Sequence, residues 1–146
     1  RCTQKEIARY LGRISGPLLD RIDMQLEVTA VPVRQITESA PEEPSADIHK
    51  RVQAARERQQ KRYAGEGISC NAELSARQLE TFCPLDDACR ELLGKACDTY
   101  HLSMRAVSRV RKVARTIADL AGAEEIGRAH LLEALRYRNL EGNYWK

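Results

Sequence analysis

The residues with the clearest chemical potential in this 146-residue sequence are arginines. Arg21 lies in the run GPLLDRID, with Asp20 before it and Asp23 two residues after it. A guanidinium is a planar, permanently charged fork, suited to carboxylate or to phosphate. Judged by residue type alone, Arg21 beside two acids is an ordinary ion pair at a helix end. A second group spans Arg105 to Arg115, where Arg105, Arg109, Arg111, Lys112 and Arg115 occur with no acid between them. A third spans Lys50 to Arg62, with six bases against the single acid Glu57. Clusters of this kind meet phosphate, of a nucleotide or of a nucleic acid, or are simply solvated helix faces. Lys50, Arg51, Arg58 and Arg62 are the candidates for DNA contact. One Trp, one Phe and five Tyr leave little to stack bases on, so single-strand stacking is not signalled.

Other chemistries find no footing. The five cysteines, Cys2, Cys70, Cys83, Cys89 and Cys97, are odd in number and contain no CxxC pair. They fit reduced thiols in a cytoplasmic protein, and no metal site is expected. His49, His101 and His130 share no spacing with acids or cysteines. No hydrolytic triad, paired-carboxylate site or dinucleotide loop occurs, and no apolar run is long enough to span a membrane. The sequence begins at Arg1 with no signal segment, which reads as a cut inside a longer protein.

The elements that must hold these arginines are mostly helices. Thr3 and Glu6 have capping-box spacing and open a short helix with Ile7, Tyr10 and Leu11. Gly12 and Gly16-Pro17 break the chain before a turn over 18–21. The segment MQLEVTAV, 24–31, alternates apolar and polar residues as a half-buried strand does. Prolines and acids then mark 32–45 as a linker, separating a first unit, 1–31, from a second, 46–146. Beyond it the pattern predicts helices over 46–63, 76–82, 86–100, 104–121 and 128–137, with Ser45 and Ser103 as N-caps and Gly65 and Gly122 as stops. On the helix from Met104, Val107, Val110, Val113, Ala114, Ile117, Ala118, Leu120 and Ala121 form an apolar arc. Arg105, Arg109, Arg111, Lys112 and Arg115 lie opposite, and the expectation is a row of cations facing outward. A cation in the first turn, as at Arg105, is mildly unfavourable to the helix dipole.

Two runs resemble a known family. RYLGRISGPLLDRIDMQLEV, Arg9 to Val28, resembles the signature of the Mg chelatase-like AAA+ ATPases of the ComM/YifB type, linked to natural transformation. LSMRAVSRVRKVARTIADLAG, Leu102 to Gly122, resembles their lid helix. HKRVQAARERQQKR and HLLEALRYR fit the same family. The resemblance implies a mainly α fold: an AAA+ lid-type helical bundle following a short fragment of the α/β ATPase core, made of a helix, a turn and one strand. It implies that the phosphate-binding loop and the metal-binding acid lie upstream, since neither motif occurs here.

By that resemblance, Arg21 matches the arginine finger, presented in trans to nucleotide on a neighbouring subunit, with Asp20 or Asp23 as its resting partner. Arg105 matches the sensor 2 arginine, reaching nucleotide in its own subunit, and Arg109 is a weaker nucleotide candidate. Cys2 looks like the tail of a cysteine-rich stretch. The cofactors implied are ATP and Mg2+ in the intact parent, none being bound by this fragment alone, which is expected to hydrolyse no ATP. The partners implied are further copies in a ring, most simply a hexamer, and DNA, with a helicase or branch-migration role. Two alternatives stay open: a magnesium chelatase ATPase subunit, and a non-enzymatic DNA-binding helical module.

Overall fold

The computed structural model describes residues 3–28, 30 and 42–138. Seven α-helices run through them: α1 (Gln4–Leu11), α2 (Gly16–Leu19), α3 (Ser45–Arg62), α4 (Ala76–Phe82), α5 (Asp87–Tyr100), α6 (Met104–Leu120) and α7 (Arg128–Arg136), with a single 3-10 turn at Asn71–Glu73. The fold is mainly α, a bundle of α3 to α7 preceded by two short helices.

Local signals set most of these boundaries. Thr3 and Glu6 close a reciprocal capping box at α1, and Ser75 and Gln78 close another at α4. Asp86 accepts from the Cys89 amide at the start of α5. Ser103 accepts from the Ala106 amide at the start of α6. Gly122, at φ 75°, ends α6 in a left-handed conformation that a side chain would resist. α3 begins at Ser45 itself, with Pro44 in the cap position.

The expected strand over 24–31 is not formed by its described residues, 24–28 and 30. A strand needs a neighbouring ladder, and the described chain offers none. The Gln25 amide instead donates to the Tyr137 carbonyl just past α7, at 2.8 Å. Leu26 and Val28 stay exposed. The proposed linker lies largely outside the described residues, as does Cys2.

The core is aliphatic. Leu79, Leu93, Val110, Ile126 and Leu131 close on Tyr63, Cys83 and Cys89. On α6 the buried positions Ala106, Ala114 and Ala118 are small, which lets α3 and α7 approach its axis closely. Full burial of a side chain such as Leu131 is worth about 1.5–3 kcal/mol. Tyr63 and Phe82 meet edge to face, with ring centroids 5.1 Å apart. Burial pushes the Cys83 and Cys89 thiols up to about 11, so both are protonated, inert core groups. No cluster of metal-ligating side chains occurs among the described residues, and no described helix is long and apolar enough to cross a membrane.

α6 does not carry an outward row of cations. Arg115 is buried, its guanidinium donating to the Ala123 and Glu124 carbonyls at 2.8 and 2.7 Å and pairing with Asp119 at 3.1 Å. Arg111 turns toward α4, where it donates to the Leu79 and Cys83 carbonyls and pairs with Glu80. Lys112 reaches the Ala72 carbonyl at 2.8 Å. The physical reason is that turns, loops and helix ends leave carbonyls without backbone donors, and long cationic side chains satisfy them while burying their stems.

Asp119 is the hub of a buried polar network. It accepts two hydrogen bonds from Arg62, at 2.5 and 3.0 Å, and one from Asn71 at 2.9 Å. Asn71 in turn accepts from the Tyr63 hydroxyl at 2.6 Å and donates to Thr116. The Gln59 side-chain oxygen accepts from the Asn71 backbone N–H, pinning the 3-10 turn to α3. The hydrogen bond to Asp119 raises the Arg62 pKa, whereas burial lowers that of the more enclosed Arg115. Both guanidiniums remain charged, because an arginine in a protein keeps its proton near neutrality.

Candidate functional site

The second ionic constellation lies where residues 20–25 cross the bundle. α2 is short because Gly16-Pro17 starts it and Asp20 caps its end. Asp20 and Asp23, the expected resting partners of Arg21, are engaged elsewhere. Asp20 accepts from the Ser103 hydroxyl at 2.9 Å and lies 3.5 Å from the Arg138 guanidinium. Arg138 also donates to the Ile22 carbonyl at 2.5 Å. Asp23 pairs with Arg109, one turn along α6 from Arg105. Together with the Gln25–Tyr137 hydrogen bond, these contacts form a clasp. It ties the segment around Arg21 to the start of α6 and the end of α7.

Arg21 itself is exposed, and it makes no ion pair with any other described residue. Arg105 is likewise exposed and unpaired among the described residues. Arg21 and Arg105 thus keep uncommitted guanidiniums, as do other surface arginines such as Arg77 and Arg128, whereas Arg109, the weaker nucleotide candidate, is held by Asp23. Ser103 is central to this arrangement. Its hydroxyl donates to Asp20 and accepts from the Ala106 amide at 3.1 Å, so one side chain both caps α6 and holds the clasp.

The basic cluster on α3 divides in two. Every residue from Ser45 to Ala54 is exposed, and only Ala55 and Gln59 of this helix are buried. Lys50 pairs with Asp47 at 3.0 Å and Arg51 with Glu43 at 2.9 Å, both on the surface. Surface pairs of this kind are worth about 0.2–1 kcal/mol and yield readily to a competing anion. Arg58 is exposed, with its guanidinium near Gly122. Arg62 is different: its charge is spent on Asp119 inside the bundle.

Sequence reasoning missed Arg138 and Ser103 as clasp residues, and Asn71 as a network hub. Arg138 follows α7 as one more base in a basic run, with nothing to set it apart. Asp119 offered a signal, being an acid among the apolar positions of α6 and four residues from Arg115.

The chain matches two family profiles. Magnesium chelatase, subunit ChlI C-terminal, matches residues 42–138. Magnesium chelatase, subunit ChlI, matches residues 1–36. The uncharacterized protein YifB of Salmonella typhimurium is 42% identical over 142 residues, covering 97% of this chain and 27% of that protein. Competence protein ComM of Haemophilus influenzae is 42% identical over 139 residues, covering 94% of this chain and 26% of that protein. An uncharacterized protein of Mycobacterium bovis is 34% identical over 137 residues, with 94% and 27% covered. The chain therefore spans about a quarter of the length of the curated relatives it matches.

Proposed function

Because the chain belongs to the magnesium chelatase subunit ChlI family, we propose that it is the arginine-bearing C-terminal region of a ring-forming AAA+ ATPase that acts on DNA. The observation that carries this reading is the contrast at the clasp. Arg21 and Arg105 stand exposed and unpaired among the described residues, while Asp20, Asp23, Arg109 and Arg138 around them are committed to each other.

Two uncommitted guanidiniums on a fixed scaffold suit the polyphosphate of ATP with Mg2+, which supplies a transferable phosphoryl group. Arg21 stabilises the negative charge that builds on the γ-phosphoryl oxygens of a neighbouring subunit's nucleotide. A finger in that role is typically worth about 10³–10⁵ in rate. Arg105 holds nucleotide in its own subunit, and its position in the first turn of α6 links bound phosphate to lid orientation. Head-to-tail contacts that close into a ring, such as a hexamer, place one chain's finger at the next chain's site. Arg109 serves the clasp in this scheme.

DNA is the favoured cargo. The exposed arm of α3 presents Lys50, Arg51 and Arg58, whose surface pairs exchange readily for phosphate, while Arg62 is left out because Asp119 holds it. The relative named as a competence protein supports the same direction. A second reading, a chelatase motor for magnesium insertion, rests on the family description alone.

The test is ATP hydrolysis by the full-length protein, with and without Arg21→Ala, in the presence of single-stranded, duplex and branched DNA. Stimulation by DNA that disappears with the substitution supports the proposal. Hydrolysis indifferent to DNA removes the cargo assignment, and full activity in Arg21→Ala removes the finger.

A further inference from the structure

We infer that Asp20 and Ser103 form a positioning pair that couples two nucleotide sites through one subunit, an inference that rests on the reading of Arg21 and Arg105 just given. Asp20 immediately precedes Arg21, and Ser103 lies two residues before Arg105. The Ser103 hydroxyl donates to Asp20 Oδ2 at 2.9 Å and accepts from the Ala106 amide at 3.1 Å. The backbone carrying the finger and the helix turn carrying the sensor are therefore joined through a single hydroxyl. Both capacities of that hydroxyl are used: its O–H donates to the carboxylate, and its oxygen accepts from the Ala106 N–H of α6.

Two further ties make the joint stiff. Arg138 is buried and donates to the Ile22 carbonyl at 2.5 Å, directly beyond Arg21. Arg109, one turn after Arg105, pairs with Asp23. Residues 20, 22 and 23 are thus each bonded to the bundle, and Arg21 between them is the one left free to reach outward. Any rotation of α6 that follows nucleotide contact at Arg105 must carry residues 20–23 with it. The finger offered to the neighbouring subunit then moves as a unit with the lid of its own. Misplacing a catalytic group by about 1 Å can cost about a hundredfold in rate, so the joint has leverage over the next site.

Asp20 and Ser103 touch no nucleotide in this scheme and act only through Arg21 and Arg105. The experiment uses the full-length protein and follows ATP hydrolysis against ATP concentration, with nucleotide affinity measured separately by binding of a non-hydrolysable analogue. Asp20→Ala and Ser103→Ala are each expected to lower kcat by about tenfold to a hundredfold, to flatten any cooperativity in ATP, and to leave analogue affinity within about twofold. The double variant should lose clearly less than the two single losses combined, because the singles share the Ser103–Asp20 bond, although Ser103→Ala also uncaps α6 and Asp20→Ala also removes a contact with Arg138. Ser103→Thr keeps a hydroxyl that donates and accepts, and should restore both kcat and cooperativity. Additive losses in the double variant, or normal kcat and cooperativity in both single variants, would overturn the inference. Ser103→Thr that stays as impaired as Ser103→Ala would assign the effect to packing and overturn it as well. Arg21→Ala, measured alongside, separates the failures: full activity there removes the underlying reading, whereas its loss together with a normal Asp20→Ala removes only the coupling.

Discussion

Two clusters of arginine and aspartate lie in this molecule, and they are built from the same groups with opposite exposure. Inside the bundle, Asp119 is fully buried and is ringed by Arg62, Arg115 and Asn71. At the clasp, Asp23 is 45% exposed and Arg109 25%, and an unpaired Arg21 projects beside them. Burial decides what each cluster is for. A desolvated charge that loses its partner has nowhere to turn, so the inner cluster specifies packing. A solvated pair is worth little to stability, so the clasp is free to serve position.

Breaking Asp119 should give the largest effect on stability. Asp119→Ala leaves two guanidiniums in the bundle without their carboxylate, and should cost about 3–5 kcal/mol in urea unfolding. Asp23→Ala, by contrast, should cost no more than about 1 kcal/mol by the same measurement. A result in which the two cost the same would erase the distinction between the clusters.

The distinction sharpens at Tyr63 and Arg21. Tyr63→Phe removes the 2.6 Å hydrogen bond to Asn71 and should cost about 1 kcal/mol, visible as a lower urea midpoint with an unchanged slope. Arg21→Ala should leave stability within about 0.5 kcal/mol, as a surface substitution does, while lowering ATP hydrolysis by the full-length protein about 10³-fold or more.

The core thiols give a pH test confined to the inner region. Burial holds Cys83 and Cys89 protonated up to about 11, against an ordinary value of 9.0. The folded state therefore binds more protons than the unfolded state between those values. Stability is fully present below pH 9 and falls as pH rises toward 11, which urea melts across that window would record. Alkylation of both thiols at pH 8 should proceed only through unfolding.

The smallest effect concerns the arm. If α3 meets DNA phosphates, Lys50→Ala or Arg58→Ala should weaken binding equally across sequences and reduce the salt slope by about one each. Arg62→Ala should instead lower the urea midpoint, because its charge serves Asp119.

How much of this was legible in the sequence follows the same division. Caps and stops are local chemistry, so Thr3, Glu6, Ser103 and Gly122 announced their helices. Partnership is tertiary. Arg115 turns inward to the Ala123 and Glu124 carbonyls while Arg105 stays in solvent, and the one local difference is Asp119, four residues after Arg115. Periodicity placed both on the polar side of α6, but a long side chain at the edge of an apolar arc has the reach to fold under. The segment 24–28 failed as a strand for a related reason, since alternation describes a face and not the neighbour that face requires.

The central claim is that Arg21 and Arg105 serve different subunits' nucleotides. Mixing full-length Arg21→Ala with full-length Arg105→Ala, each inactive alone, tests it most directly. A ring holding both variants contains interfaces where an intact sensor meets an intact finger from the next subunit. The account predicts that ATP hydrolysis reappears on mixing. Continued inactivity in mixed rings of demonstrated composition would mean that both arginines serve one chain's site, and would contradict it.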